Sequence, residues 1–161
     1  MNKDEQLLYA DHIRHFYTLR YGFPRMVGRL LGYLLVCVPE KQSMNELADA
    51  LMASRSAIVG AVQTLENYHL VNRNRAAGQR SDSISLNAAG LEGKGFDVTV
   101  YQEQAALFRE GLNALKDEGQ DPRIALLEEA AALAEFLAEQ IPALHKEWRK
   151  QRDALRRNRE L

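Results

Sequence analysis

The chain has 161 residues, 46% of them hydrophobic and 27% charged, and its formal net charge is −1. That composition excludes an intrinsically disordered chain, and the near-neutral total excludes recognition of nucleic acid by bulk charge. A single cysteine, Cys37, excludes a disulfide framework or a cysteine-built zinc site; the polar opening Asn2-Lys3-Asp4-Glu5 is unlike a secretory signal, and the longest apolar run, Met26 to Val38, is short of the roughly 20 residues of a membrane span and contains Arg29, so a cytoplasmic protein is expected.

Residues 3–21 read as a helix, with Leu8, His12, Phe16 and Leu19 spaced for one face. Gly22-Phe23-Pro24 breaks it, and Pro24 suits the first turn of a second helix running to about Val38, where Pro39 ends it. Met26, Val27, Leu30, Leu31, Leu34 and Leu35 make that helix apolar nearly all round, so it should be buried. Gly28 and Gly32, four apart, let another helix approach closely. Ser43-Met44-Asn45-Glu46 has the form of a capping box and starts a short helix with Leu47, Ala48 and Leu51. After Met52-Ala53, Ser54 is an N-cap for a helix to about Tyr68 in which Ile58, Ala61, Val62 and Leu65 form a helical stripe.

Leu70 to Arg73 and Ser83 to Leu86 read as two strands, with Ala76-Ala77-Gly78-Gln79 as the turn between them. The glycines of Gly90-Leu91-Glu92-Gly93-Lys94-Gly95 follow no parallel strand and read as a hinge. Beyond them Tyr101, Ala105, Phe108, Leu112 and Leu115 share a helical face up to about Glu118, and Gly119-Gln120-Asp121-Pro122 forms a break with Asp121 as cap. A long last helix carries Ile124, Leu127, Ala131, Ala134, Leu137, Ala138 and Ile141 on its apolar face. Pro142 is expected to kink it or end its regular part, and the basic tail from Lys146 to Arg159 is expected to fray.

Two short helices with a tight turn describe a helix-turn-helix, and the hairpin after them makes it winged. The buried stripe would anchor the second helix and leave Arg55, Ser56, Val59, Gly60 and Gln63 free to face a major groove. The wing would carry Arg80 to a minor groove, with Arg73 or Arg75 near the backbone. Residues 55–80 hold Arg55, Arg73, Arg75 and Arg80 against Glu66 alone, whereas residues 101–140 hold nine acids and three bases. Such segregation lets a neutral chain present one face to phosphates.

The run from Ser54-Arg55-Ser56 through Gln63-Thr64-Leu65 to His69-Leu70-Val71 resembles the recognition helix and following strand of MarR-type regulators, and Gly78-Gln79-Arg80 with Ile84 to Gly90 resembles their wing and exit. Gly22-Phe23-Pro24-Arg25-Met26-Val27-Gly28-Arg29-Leu30-Leu31-Gly32 resembles the GbsR-like branch. The resemblance implies a homodimer joined by helices from both chain ends, repression of transcription relieved by a small-molecule effector, and DNA contacts by Ser54, Arg55, Ser56, Gln63 and the wing residue Arg80. Gly78 stands where the family's wing usually has an acid. His69 stands where a glycine usually ends the helix in left-handed backbone.

The expected fold is mainly α with a small β-wing: N-terminal helices over 1–38, a winged helix-turn-helix over 39–90 and a C-terminal helical dimerisation arm with a basic tail over 91–161. Its expected partners are double-stranded DNA, a second copy of itself and a small-molecule effector, with no membrane. The expected DNA-facing set is Ser54, Arg55, Ser56, Gly60, Gln63, Arg73, Arg75 and Arg80. Phe16, Tyr17, Tyr21 and Tyr33 could line an effector pocket of the aromatic kind that suits a quaternary ammonium group, although dimer-core packing explains them more simply. Cys37 lies in an apolar setting that favours a core role over a redox one. Asp11, His12 and His15 have helical spacing but lack a fourth ligand, so no metal or cofactor is expected. No Walker loop, dinucleotide fingerprint, nucleophile elbow or His-Glu-x-x-His is present, so an enzyme is not expected. The alternative function is a winged-helix protein-interaction module without DNA.

Overall fold

A computed structural model describes residues 1–116, 119 and 121–159. Glu118 and Gln120, where the end of one helix and the following break were expected, lie outside the described residues. The described chain comprises α1 (Lys3–Tyr21), α2 (Arg25–Leu34), β1 (Gln42–Ser43), α3 (Met44–Leu51), α4 (Arg55–Asn67), β2 (Val71–Asn74), β3 (Ser83–Leu86), α5 (Ala88–Gly95), α6 (Thr99–Ala114) and α7 (Pro122–Arg159). It divides into two compact units, Met1–Glu92 and Gly93–Leu161.

In the first unit α1 begins with a reciprocal cap: Asn2 accepts from the Glu5 amide at 2.9 Å and Glu5 accepts from the Asn2 amide at 2.8 Å. The face with Leu8, His12, Phe16 and Leu19 is the outer one, where Leu8 and Leu19 are exposed. The inner face places Ala10 against α2, and the two glycines of α2 explain how close the helices come. A Cβ on Gly32 would stand 2.8 Å from the Ala10 Cα, and one on Gly28 would stand 3.0 Å from the Arg14 Cα.

α2 stops at Leu34, earlier than the apolar run suggested. The Val36 and Cys37 amides both turn back to the Tyr33 carbonyl, at 3.1 and 2.9 Å, and the residue before Pro39 is disfavoured from helical backbone. Val27, Leu30, Leu31 and Leu34 are buried with Leu47 and Leu51 of α3, Ile58, Val62 and Leu65 of α4, and Ile84 of β3 in one core. Each fully buried leucine or isoleucine contributes about 1.5–3 kcal/mol. The first 38 residues thus share a core with the helices and hairpin that follow.

The three strands form an antiparallel sheet in the order β1-β3-β2. Val71 pairs with Leu86 and Arg73 with Ile84 across the hairpin, while Gln42 pairs with Ile84 on the other side of β3. The Ala76–Gln79 turn closes through the Gln79 amide on the Ala76 carbonyl at 3.0 Å, with Gly78 at φ 82°. The glycine run is helical, and the boundary between the two units falls within it, at Glu92 and Gly93. Asn87 starts α5, accepting from the Gly90 amide at 3.2 Å on its side chain and from the Leu91 amide at 3.1 Å on its carbonyl.

The second unit pairs α6 with α7. Contacts link Phe96 to His145, Arg109 to Glu135 and Gly111 to Leu127, and this reversed order makes the helices antiparallel. Ala105, Ala131 and Ala134 are buried in the seam. Asp121 precedes α7 and accepts from the Arg123 amide at 2.8 Å. Pro142 does not end α7, and the basic tail does not fray: the helix continues to Arg159. Proline removes one intrahelical bond, but half-buried positions at His145, Trp148 and Arg152 carry the pattern on past it. Arg156, Arg157 and Arg159 then complement the negative end of the helix dipole. Among the described residues no helix is long and apolar enough to cross a membrane.

Candidate nucleic-acid interface

The helix-turn-helix is assembled from α3 and α4. Ser43 accepts from the Glu46 amide at 3.2 Å and Glu46 accepts from the Ser43 amide at 2.6 Å. These bonds hold the Glu46 carboxyl below the usual glutamate range. α3 ends with Met52 in left-handed backbone, φ 51°. Ser54 then caps α4, its hydroxyl accepting from the Ala57 amide at 3.2 Å.

Ile58, Ala61, Val62 and Leu65 bury one side of α4, so Ser54, Arg55, Ser56, Val59, Gly60 and Gln63 all stand exposed on the other. The Arg55 guanidinium donates to the Asn45 side chain, which ties the start of α4 to α3. Gln63 donates to Asn67 one turn on, at 3.3 Å. A Cβ on Gly60 would meet nothing within 4 Å, so a surface laid against α4 meets bare backbone there.

Three wing arginines differ in what holds them. Arg73 makes a two-pronged bond to Glu66 at 2.9 and 2.8 Å and lies 3.5 Å from Asp82; the Glu66 carboxylate pushes its pKa up. Arg75 donates to Asp82 at 2.9 Å. Arg80 makes no ion pair among the described residues and is exposed at the wing tip. Asp82 therefore braces Arg73 and Arg75, and the absence of an acid at Gly78 leaves Arg80 unbraced. Sequence reading missed Asn45, Glu66 and Asp82 as the residues that hold these arginines, because their spacing crosses element ends where no fixed periodicity applies.

His69 ends α4 in left-handed backbone at φ 57°, the place the resemblance gives to glycine. Its carbonyl accepts from the Asn87 side chain at 3.0 Å, tying the end of α4 to the start of α5.

Phe16, Tyr17 and Tyr21 of α1 form one aromatic cluster with Phe23 and Tyr68. Tyr17 lies 5.4 Å from both Tyr21 and Phe23, and Phe23 stacks on Tyr68 at 5.1 Å. Tyr33 is not in that cluster; it is buried beside Cys37 and Glu46, and burial raises its pKa. Cys37 is buried, its thiol pointing to the Leu34 and Glu40 carbonyls at 3.8 and 3.9 Å, and burial pushes its pKa up too. Among the described residues no group of His, Cys, Asp and Glu is placed to hold a metal ion.

A capped helix-turn-helix, a β-hairpin wing behind it and further helices at both ends define a winged-helix architecture. A family model described as MmpR5-like MarR family transcriptional regulator matches residues 97–151, within the second unit. The HTH-type transcriptional regulator MmpR5 of Mycobacterium tuberculosis is 39% identical over 94 residues, 58% of this chain and 57% of that protein. The alignment thus spans little more than half the length of that curated relative. A solved structure described as a transcriptional regulator superposes with a TM-score of 0.75 at 28% identity, covering 91% of this chain and 99% of the other. The chain is thus similar to winged-helix transcriptional regulators of the MarR family over part of its length, and the relatives it matches are described as regulators.

Proposed function

We propose that this chain is a cytoplasmic, sequence-specific regulator that binds double-stranded DNA as a homodimer and represses transcription until a small-molecule effector relieves it. The observation that carries the reading is the two-sided α4: a fully buried stripe fixes the helix, and the opposite side presents Arg55, Ser56, Gly60 and Gln63 without cover. The N-terminal turn of α4 also offers backbone amides and a positive dipole end to a phosphate. The wing adds Arg80. The aromatic cluster around Tyr17 supports an effector site on α1, close to the end of α4 through Phe23 and Tyr68. The GbsR-like likeness of residues 22–32 supports the same kind of effector-gated regulator.

The test is selection of bound fragments from the source genome, followed by affinity measurement on the selected duplex across salt. A dimer neutralising 6–10 phosphates loses about 10³-fold or more in affinity between 50 and 200 mM salt. Failure to enrich any fragment, or binding indifferent to salt, overturns the proposal in favour of a protein-interaction module.

A further inference from the structure

α1 and α2 enclose a small open cleft of about 210 Å³ lined by Asp11, Arg14, Arg25, Met26 and Arg29. Three arginines and one aspartate line it. Asp11 Oδ1 accepts from Arg14 Nε at 3.2 Å and lies 3.1 Å from Arg29 Nε. The second approach is off the line a hydrogen bond needs, so the Arg29 Nε–H is buried without an acceptor. Arg29 is held from its other end, where Nη1 donates to the Leu51 carbonyl at 3.0 Å. Arg25 makes no ion pair among the described residues.

Helix packing does not account for this arrangement. Gly28 and Gly32 already set the α1–α2 distance through backbone contact, and one arginine would satisfy Asp11. The cleft instead carries two positive charges in excess, in a partly desolvated place where like charges repel and an unanswered N–H is costly. The first turn of α2 adds to the positive field, since it has no side-chain cap and no acid. Guanidinium forks match the oxygens of phosphate and carboxylate groups, and two excess charges match a dianion. The Met26 side chain gives the cleft one apolar wall.

We propose that this cleft binds a small doubly charged oxyanion, a phosphate group either free or carried on a small organic body. Its lining residues belong to α1 and α2, not to the exposed side of α4.

The experiment titrates the full-length chain with sodium phosphate against sodium chloride at matched ionic strength, following the melting temperature and the arginine Nε–Hε resonances. A saturable rise in melting temperature is expected with phosphate and not with chloride, together with movement of the Arg29 signal. Arg25→Gln removes one of the mutually repelling charges at an exposed position, so it should not lower the melting temperature without phosphate, and it should weaken phosphate binding about tenfold, the loss of one charge-assisted contact. Phenyl phosphate binding more tightly than inorganic phosphate assigns the site to an organic phosphate, and equal affinities assign it to the free ion. Phosphate behaving like chloride, or Arg25→Gln binding phosphate like the wild type, overturns the proposal.

Discussion

Gly90 has no room for a side chain: a Cβ there would stand 1.7 Å from the His69 carbonyl oxygen, which also accepts from Asn87. Gly90→Ala must displace backbone at the junction of α4 and α5, and is expected to cost roughly 3 kcal/mol or more. Gly60 is the opposite case, an exposed mid-helix glycine whose Cβ would meet nothing, so Gly60→Ala should stabilise by up to about 1 kcal/mol. Urea unfolding of the two variants checks both signs, and equal midpoints would refute the geometry. Glu46 provides a pH test. Its pKa is lowered in the folded chain by the Ser43 bonds, so its contribution is complete above the unfolded glutamate value, about pH 4.3, and is lost as pH falls through the lower folded value. Unfolding midpoints should therefore drop across that acid range, and Glu46→Gln should drop less steeply; parallel curves would remove the role of the cap.

At the scale of elements, α3, α4 and the hairpin were legible because each carries its own local signal: Ser43 and Ser54 as caps, a buried stripe at helical spacing, and two short strands around Gly78. β1 was not, since two residues carry no periodicity and their pairing with β3 is a contact across some forty positions. Pro142 and the basic tail misled for the opposite reason. A local rule about proline was outweighed by a helix whose packed face continues on both sides of it. The exposed side of α4 and the wing were legible as a face, but the restraints on their arginines were not, and these restraints divide the arginines by what they must release. Arg73 and Arg75 must give up carboxylates to take a phosphate, whereas Arg80 gives up none. Under the DNA-binding proposal, Arg80→Ala should weaken cognate and scrambled duplexes alike and flatten the salt slope by about one unit per half-site. Arg55→Ala and Gln63→Ala should each cost about 1–3 kcal/mol at the cognate site and less on scrambled DNA. Arg73→Ala should lower stability more than affinity. Equal losses on both duplexes for Arg55→Ala and Gln63→Ala would mean that α4 does not read bases.

Across the whole molecule, each unit keeps an apolar face that its own helices leave exposed. On α1 it is Leu8, Phe16 and Leu19; on α7 it is Leu126, Leu133, Leu144 and Leu155. The α7 residues lie 7, 11 and 11 positions apart, multiples that return to the same side of a helix, so they form a stripe distinct from the one packed on α6. Leu127 and Leu137, by contrast, belong to the face half-buried against α6. Sequence alone did not separate these faces, because α7 is apolar on more than one side. The separation decides which variants test a homodimer. Leu127→Asp and Leu137→Asp place a charge in the α6–α7 seam and should unfold the second unit, whatever the oligomeric state. Leu133→Asp with Leu144→Asp places charges on an exposed stripe, where a monomer would tolerate them. If that stripe joins two copies, sedimentation of the wild type at micromolar concentration gives twice the chain mass, and the Leu133/Leu144 double variant sediments as a folded monomer with unchanged helicity. DNA affinity should fall with it, since two half-sites no longer act together. A wild type that sediments as a monomer, or a double variant that keeps the doubled mass, would remove α7 as the dimer contact and with it the expectation of a two-fold symmetric operator.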